Sequence, residues 1–326
     1  MKHISIIVPK GEAILNSIEG PYKLFRQVNS FLEERGQRPL FRVQLVGLSR
    51  EAHYYENVFS IHPELIVSDS FQTDLIIIPA IHGDLQKAVA MNQDFIPWMI
   101  RQHNAGAELA SLCVGAFLLA STGLLNGRKC ATHWMFANEF RKMYPAVNLV
   151  AEKIITDEHG IYSSGGAYSF LNLILYLVEK YAGRQTAILC SKVFEIEIER
   201  GSQSPFTIFL GQKDHEDDAI KTIQAFIEKN FQQKITVDQL ASMLALSRRN
   251  LERRFKKATA NTVVEYIQRV KIEAAKMSFE SSRENVNEVM YNVGYNDTKA
   301  FRIIFKRITG LSPVQYRNKY NKELMN

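Results

Sequence analysis

The sequence predicts a doubly wound parallel α/β domain followed by an all-α domain containing two helix-turn-helix units. Three observations lead there. Across the first two-thirds, short apolar runs alternate with amphipathic helical stretches. After about residue 215 the hydrophobic period becomes helical throughout. The excess positive charge also falls in the last third: residues 216–326 hold 20 Lys and Arg against 13 Asp and Glu, whereas residues 1–215 hold 20 against 21.

The runs "ISIIVP" (4–9), "FRVQLVG" (41–47), "LIIIPA" (75–80) and "AELASLC" (107–113) read as strands buried on both faces, as in a parallel sheet covered by helices. Between them, "YKLFRQVNSFLEERG" and "DFIPWMIRQHNAG" read as helices closed by a glycine that suits the position after the last turn. "VNLVAEKIITDEHGIYSSGG" reads as two strands turning at residues 157–160. The apolar helix "YSFLNLILYLVEKYAG" and a last helix over 185–198 follow. The alternating "FEIEIER" (194–200) reads as a helix end or an edge, and "HEDD" (215–218) as part of a solvated linker. The expected domains are residues 1–210 and 216–326.

In "ITVDQLASMLALSRRNLERRFKKAT", Val237, Leu240, Ala241 and Leu244 share one helical face, and residues 245–247 make a turn from which Ser247 caps the next helix. Leu251 and Phe255 then point inward, which places Arg249, Arg253 and Lys256 outward at 100° per residue. "NVNEVMYNVGYNDTKAFRIIFKRITG" repeats the plan. Val286, Val289, Met290 and Val293 face inward, Gly294 permits the turn, and Phe301, Ile304, Phe305 and Ile308 form the core of the following helix. Lys299, Arg302 and Lys306 lie opposite. A helix with an apolar back and a cationic front is suited to entering a DNA major groove.

This third resembles the DNA-binding domain of AraC-family regulators from about Ile220 to Tyr320, including the closing pattern "FKRITGLSPVQYR". The resemblance implies seven helices, two of which enter successive major-groove segments of double-stranded DNA. By position it makes Arg249, Glu252 and Arg253 base-reading candidates in the first unit, and Thr298, Lys299 and Arg302 in the second. Two departures are visible. "TANTVVEY" replaces the family's usual Thr-Gly-x-Ser-Pro turn, and Ile303 stands where Arg is frequent.

In "LASLCVGAFLLASTG" (109–123), Cys113 falls where a strand turns into a helix, beside the small residues Gly115 and Ala116. This region resembles the class I glutamine-amidotransferase-like, flavodoxin-type fold that precedes an AraC-type module in GlxA-like regulators. The match rests on "SLCVGAFLLASTGLLNGRKCATHW" (111–134) and "GGAYSFLNLILYLVEKYAG" (165–183), and more weakly on "IEGPYKLF" (18–25) and "RGSQSPF" (200–206). In enzymes of that superfamily the elbow cysteine is the nucleophile and His133 matches its histidine partner. Here the residue two places after the histidine is Met135 rather than a carboxylate, and neither Glu12 nor Glu19 aligns with the glutamate used by the hydrolase branch. A Cys–His pair without an orienting acid lacks the member that fixes the tautomer. The reading is therefore a pocket for a small-molecule effector, lined by Cys113, His133, Trp134 and the loop of Glu19, Gly20 and Pro21, in preference to an inert domain kept for dimerisation or core packing, and not an enzyme. Two rivals remain at this stage: a cysteine-dependent amidase or hydrolase tethered to nucleic acid, and a nucleoid-type binder without site preference.

Composition narrows the class further. With 326 residues, 46% hydrophobic and 23% charged, the chain has material for about two cores. The apolar run at the start is too short for a secretion signal, and no run reaches the roughly 18 residues of a membrane helix. Cys113, Cys130 and Cys190 have neither disulfide nor zinc spacing. His53, His62, His82 and His103 lack ligand spacing, so neither metal nor cofactor is called for. The expected protein is cytoplasmic and homodimeric, with DNA and an effector as partners and RNA polymerase as a further one.

Overall fold

A computed structural model describes residues 1–198 and 201–321. The chain divides into two compact units, Met1–Gln203 and Ser204–Asn326. Among the described residues, no helix is long and apolar enough to cross a membrane.

The first unit runs β1 (Lys2–Ile7), α1 (Asn16–Glu33), β2 (Phe41–Gly47), β3 (Ala52–Tyr54), β4 (Phe59–Ile61), β5 (Leu65–Ile66), β6 (Leu75–Ile78), α2 (Leu85–Met91) and α3 (Phe95–Asn104). It continues through β7 (Glu108–Ser111), α4 (Ala116–Ala120), β8 (Lys129–Cys130), α5 (Ala137–Met143), β9 (Asn148–Leu149), β10 (Ile155–Asp157) and β11 (Ile161–Ser164). Helices α6 (Phe170–Ala182) and α7 (Arg184–Val193) end it. Among the described residues seven strands form the main sheet in the order β10-β11-β7-β6-β1-β2-β5. All its pairs are parallel except β10 with β11. The unit is thus flavodoxin-like, with helices on both faces.

The period of two along the strands builds both cores. In β6, Leu75 and Ile77 join the layer containing Leu24, Phe25, Phe170 and Leu177. Ile76 and Ile78 join the opposite layer with Trp98, Phe117 and Phe140. Helix α1 buries Ile18, Pro21, Leu24, Phe25, Val28 and Phe31 at helical spacing. The hairpin β3–β4 escapes sequence reading because its three-residue strands carry too few alternations to register. The last helix stops at Val193, short of the expected 198. Glu195 turns left-handed (φ 53°) while Phe194, Ile196 and Ile198 fold back onto the core. Glu199 and Arg200, within "FEIEIER" and "RGSQSPF", lie outside the described residues.

The second unit holds α8 (Asp218–Asn230), α9 (Val237–Met243), α10 (Arg248–Thr259), α11 (Val263–Ser281), α12 (Val286–Asn292), α13 (Thr298–Thr309) and α14 (Pro313–Tyr320). Two cores form around the long α11. Val263, Tyr266 and Ile267 pack with Leu240, Leu251 and Phe255, while Ile272, Ala275 and Phe279 pack with Met290, Phe301 and Phe305.

Residues 204–217, placed by sequence in the first domain and a solvated linker, form a strap bonded to this helical unit. Lys276, 3% exposed, donates to the Thr207 carbonyl at 2.6 Å and pairs with Glu273 at 2.8 Å. The Phe209 N–H donates to Glu273 at 3.1 Å, and its ring meets Tyr266 edge-on at 5.1 Å. Asn261 donates to the Gln212 side chain at 2.8 Å, and Lys213 pairs with Glu228 at 2.7 Å. Arg254 grips Asp217, which also caps α8. Composition cannot reveal such anchoring, because most of these partners lie 37 to 69 residues further along the chain.

Gly294 has φ +76°, and a Cβ there would lie 2.2 Å from the Gln232 carbonyl oxygen. Gly294→Ala is expected to cost about 1–3 kcal/mol from backbone strain, with clash added. Urea titration followed by circular dichroism should show the loss; an unchanged midpoint would contradict the close approach.

Candidate functional site

The elbow follows from strand β7. Leu112 is extended and its N–H donates to the Ile78 carbonyl at 2.9 Å. Cys113 then takes φ +56°, a left-handed value that is strained for a residue bearing a side chain. A 3-10 turn over Cys113–Gly115 opens into α4. Gly115 is required here, since a Cβ would lie 2.4 Å from the Pro79 oxygen and 2.5 Å from that of Ile78. The Cys113 N–H donates to Ser164 Oγ at 3.3 Å, and Thr132 Oγ1 donates to the Cys113 carbonyl at 3.0 Å.

The thiol is 7% exposed, and burial pushes its pKa up to about 12; a hydrogen bond from the Val114 N–H offsets this only in part. His133 stands below the usual histidine range, also through burial. Its Nδ1 accepts the Met135 N–H at 3.2 Å, so a backbone amide rather than a carboxylate orients the ring. The Trp134 and Phe136 rings flank it, with centroids at 5.5 and 5.9 Å. An active cysteine needs its thiolate stabilised, and this environment favours the neutral thiol.

Gln203 was not singled out from sequence. Its Nε2 donates to the carbonyls of Thr132, Ala151 and Lys153 at 2.7–3.0 Å, and its Oε1 accepts the Trp134 N–H at 3.4 Å. It packs so closely that a Cβ on Gly165 would lie 2.1 Å from it. Only the glycine pair Gly165–Gly166 could have hinted at this close approach.

Glu19, Gly20 and Pro21 lie in the early turns of α1 and not in the expected loop. Ser17 and the apolar positions of α1 draw them into the helix: the Ser17 hydroxyl donates to the Ile14 carbonyl at 2.6 Å, and Ile18 and Pro21 are buried. Gly20 lets α1 approach α6, since a Cβ would touch the Phe170 ring at 3.2 Å. Glu19 is exposed beside Lys23 at 3.8 Å.

A cleft of about 470 Å³ lies at the other end of the strands, lined by His103, Glu108, Asp157, His159 and Lys180. Its central carboxylate, Glu108, already accepts from the Tyr162 and Tyr181 hydroxyls and from Lys180. Those bonds hold its pKa below the usual range against burial.

In the helical unit, Ser247 caps α10 by accepting the Asn250 N–H at 3.3 Å, and Asp297 caps α13 by accepting from the Lys299 and Ala300 N–H groups. Arg249, Arg253 and Lys256 are exposed on α10, as are Lys299, Arg302 and Lys306 on α13; Thr298 is half-buried at the start of α13. Asn250 accepts from Arg253 at 3.0 Å and so holds that guanidinium in place. Glu252 pairs with Arg248 at 3.2 Å, and Arg248 reaches back to Asp238 on α9 at 3.5 Å. Sequence reading thus missed Arg248 and Asn250 as the groups that position their neighbours. Arg307 is drawn off the front by Gln268, its acceptor at 2.6 Å on α11.

An elbow-bearing α/β unit joined to a paired helix-turn-helix unit defines a class of two-part DNA-binding proteins. Residues 28–180 match the model of the DJ-1/PfpI family, and residues 240–319 that of a helix-turn-helix domain. The chain is 25% identical over 85% of its length to the HTH-type transcriptional regulator GbdR of Pseudomonas aeruginosa, covering 74% of that protein. It is 21% identical to the HTH-type transcriptional regulator GlxA of Rhizobium meliloti, over 67% of this chain and 68% of that one. A crystal structure from Vibrio parahaemolyticus, described as a transcriptional regulator, shares the fold of 59% of this chain and 98% of its own (TM-score 0.53, 24% identity). The protein carries a DJ-1/PfpI-type domain followed by an AraC-type helix-turn-helix domain, and is a DNA-binding transcription regulator.

At pH 7, iodoacetamide should label Cys113 of the native protein at least ~10²-fold more slowly than in the urea-unfolded chain, because thiolate is the reactive form and is suppressed here. Mass spectrometry of the tryptic peptide measures both rates. Equal rates would make the elbow thiol open and ionised.

Proposed function

We propose that this regulator reads its operator with α10 and α13 in successive major-groove segments, under control of a small-molecule effector held at the Cys113 elbow. The observation that carries the DNA reading is the pair of capped helices, each with its apolar side in a core and its cations outward. Arg249 and Arg253 are suited to the paired acceptors of guanine. Lys256, Lys299, Arg302 and Lys306 supply phosphate or base contacts, with Glu252 and Thr298 as further base-reading candidates. An arginine pair to guanine is worth ~1–3 kcal/mol of discrimination, while phosphate contacts make affinity fall with salt.

For the effector, Cys113 follows the carboxyl end of β7, where open α/β folds bind ligands, and Thr132, next to His133 in the chain, bonds its carbonyl. The start of α1, with Glu19, Gly20 and Pro21, borders α6 at Phe170. A buried neutral thiol and an imidazole oriented by a backbone amide support binding rather than turnover. The protein acts in the cytoplasm, where the DNA lies. It works as a homodimer, which multiplies operator affinity through effective concentration, with RNA polymerase the partner through which the outcome is expressed.

Selection of sheared genomic DNA by the full-length protein at two salt concentrations tests this reading. A few fragments should bind at least ~10³-fold more tightly than random competitor. On such a fragment, Arg249→Ala and Arg253→Ala should each lose about 5- to 100-fold in anisotropy titrations, and Lys256→Ala should lower the salt slope by about one. Uniform recovery that vanishes with salt would overturn it.

A further inference from the structure

Helices α10 and α13 are two copies of one device, about 50 residues apart. Leu251 and Phe301 fill equivalent core positions, as do Phe255 and Phe305. Thr259 donates its hydroxyl to the Phe255 carbonyl at 2.8 Å, and Thr309 to that of Phe305 at 2.8 Å. Each helix ends on a left-handed residue, Ala260 or Gly310. The outward positions therefore correspond: Arg249 with Lys299, Arg253 with Ile303, and Lys256 with Lys306.

The Arg253–Ile303 pair differs in chemistry as well as size. Ile303 is 58% exposed and lies among Lys299, Arg302 and Lys306 on the outward face, whereas its neighbours Ile304 and Ile308 pack on the core. The residue supporting Arg253 differs too. Asn250, which accepts from Arg253, is replaced at the equivalent position by Ala300, which has nothing to hold. The first unit thus presents a braced guanidinium where the second presents a branched aliphatic group.

We propose that Ile303 is a specificity-determining residue that packs on the 5-methyl group of a thymine, while Arg253 at the equivalent position takes a guanine. The methyl of thymine is an apolar group on the major-groove edge, and aliphatic contact with it is a recognised readout. An isoleucine laid over guanine would desolvate two acceptors without replacing their hydrogen bonds. The two halves of the operator therefore differ at equivalent positions, G·C under α10 and A·T under α13. This rests on the proposed reading that both helices enter the groove.

The test uses full-length protein and the operator recovered by selection, with each thymine under the second unit replaced singly by uracil, which pairs alike but lacks the methyl. One replacement should weaken wild-type binding about fourfold, the worth of one buried methyl group. The same replacement should leave Ile303→Ala unaffected and still weaken Ile303→Val. Ile303→Arg should shift the preference at that base pair from A·T toward G·C by about tenfold or more. Equal sensitivity of wild type and Ile303→Ala at every thymine, or none in either, overturns the assignment while a specific operator leaves the groove reading intact. Failure to recover any specific operator takes both down. Ile303 is exposed, so its variants should keep the wild-type melting temperature; a variant that does not is replaced by the uracil comparison on wild type and Ile303→Val.

Discussion

The DNA-binding unit depends on one shared helix. α11 runs through 19 residues, so it spans roughly 28 Å at 1.5 Å per residue. Its first half is buried in one core and its second half in the other. Rotating one recognition helix against the other would strip apolar surface from α11. Lys271 reinforces this. It is 7% exposed and donates to the Gly294 carbonyl at 2.9 Å and to that of Gln233 at 3.5 Å, which ties the turn of the second unit to the segment before α9. Burial lowers its pKa, an expense tolerated because the carbonyls satisfy the ammonium. A fixed phase between two groove-reading helices is what successive contacts along one face of B-DNA require, where the groove recurs about every 34 Å.

The strap over residues 204–217 extends the same logic. Its anchors are spread over α8, α10, α11 and α14: Asp217 on Arg254, Lys213 on Glu228, Thr207 on Lys276 and the Pro205 carbonyl accepting from Tyr320. The exposed pairs contribute little individually. The buried contact at Lys276 and Glu273 matters more, since removing either partner leaves a charge without its complement. The helical unit therefore begins before its first helix, and its polar leader is structure.

At the elbow, geometry and reactivity part ways. The left-handed Cys113, the glycine pressed against Pro79 and the short helix beyond are the scaffold of a nucleophile site. The electrostatics are those of a packed thiol, since desolvation outweighs the one amide that points at the sulfur. A fold can keep the shape of such a turn because the shape is set by strand and helix packing, while the chemistry needs a charged or hydrogen-bonding partner that packing does not supply.

Much was legible in the residues. The parallel strands, the capped helices, the turn at Gly294, the elbow at Cys113 and the outward cations are all local or periodic properties, fixed by φ preference, burial period and side-chain type. Other features were decided only in three dimensions. Glu19–Pro21 became helix because buried neighbours on α1 drew them in, and residues 204–217 became a strap because of partners on helices up to 115 residues away. Gln203 found its three carbonyls the same way. Period and propensity act over a few residues, whereas a hydrogen bond or ion pair between distant segments exists only after the chain has closed its loops, so the sequence determined the elements and the tertiary structure determined their partners.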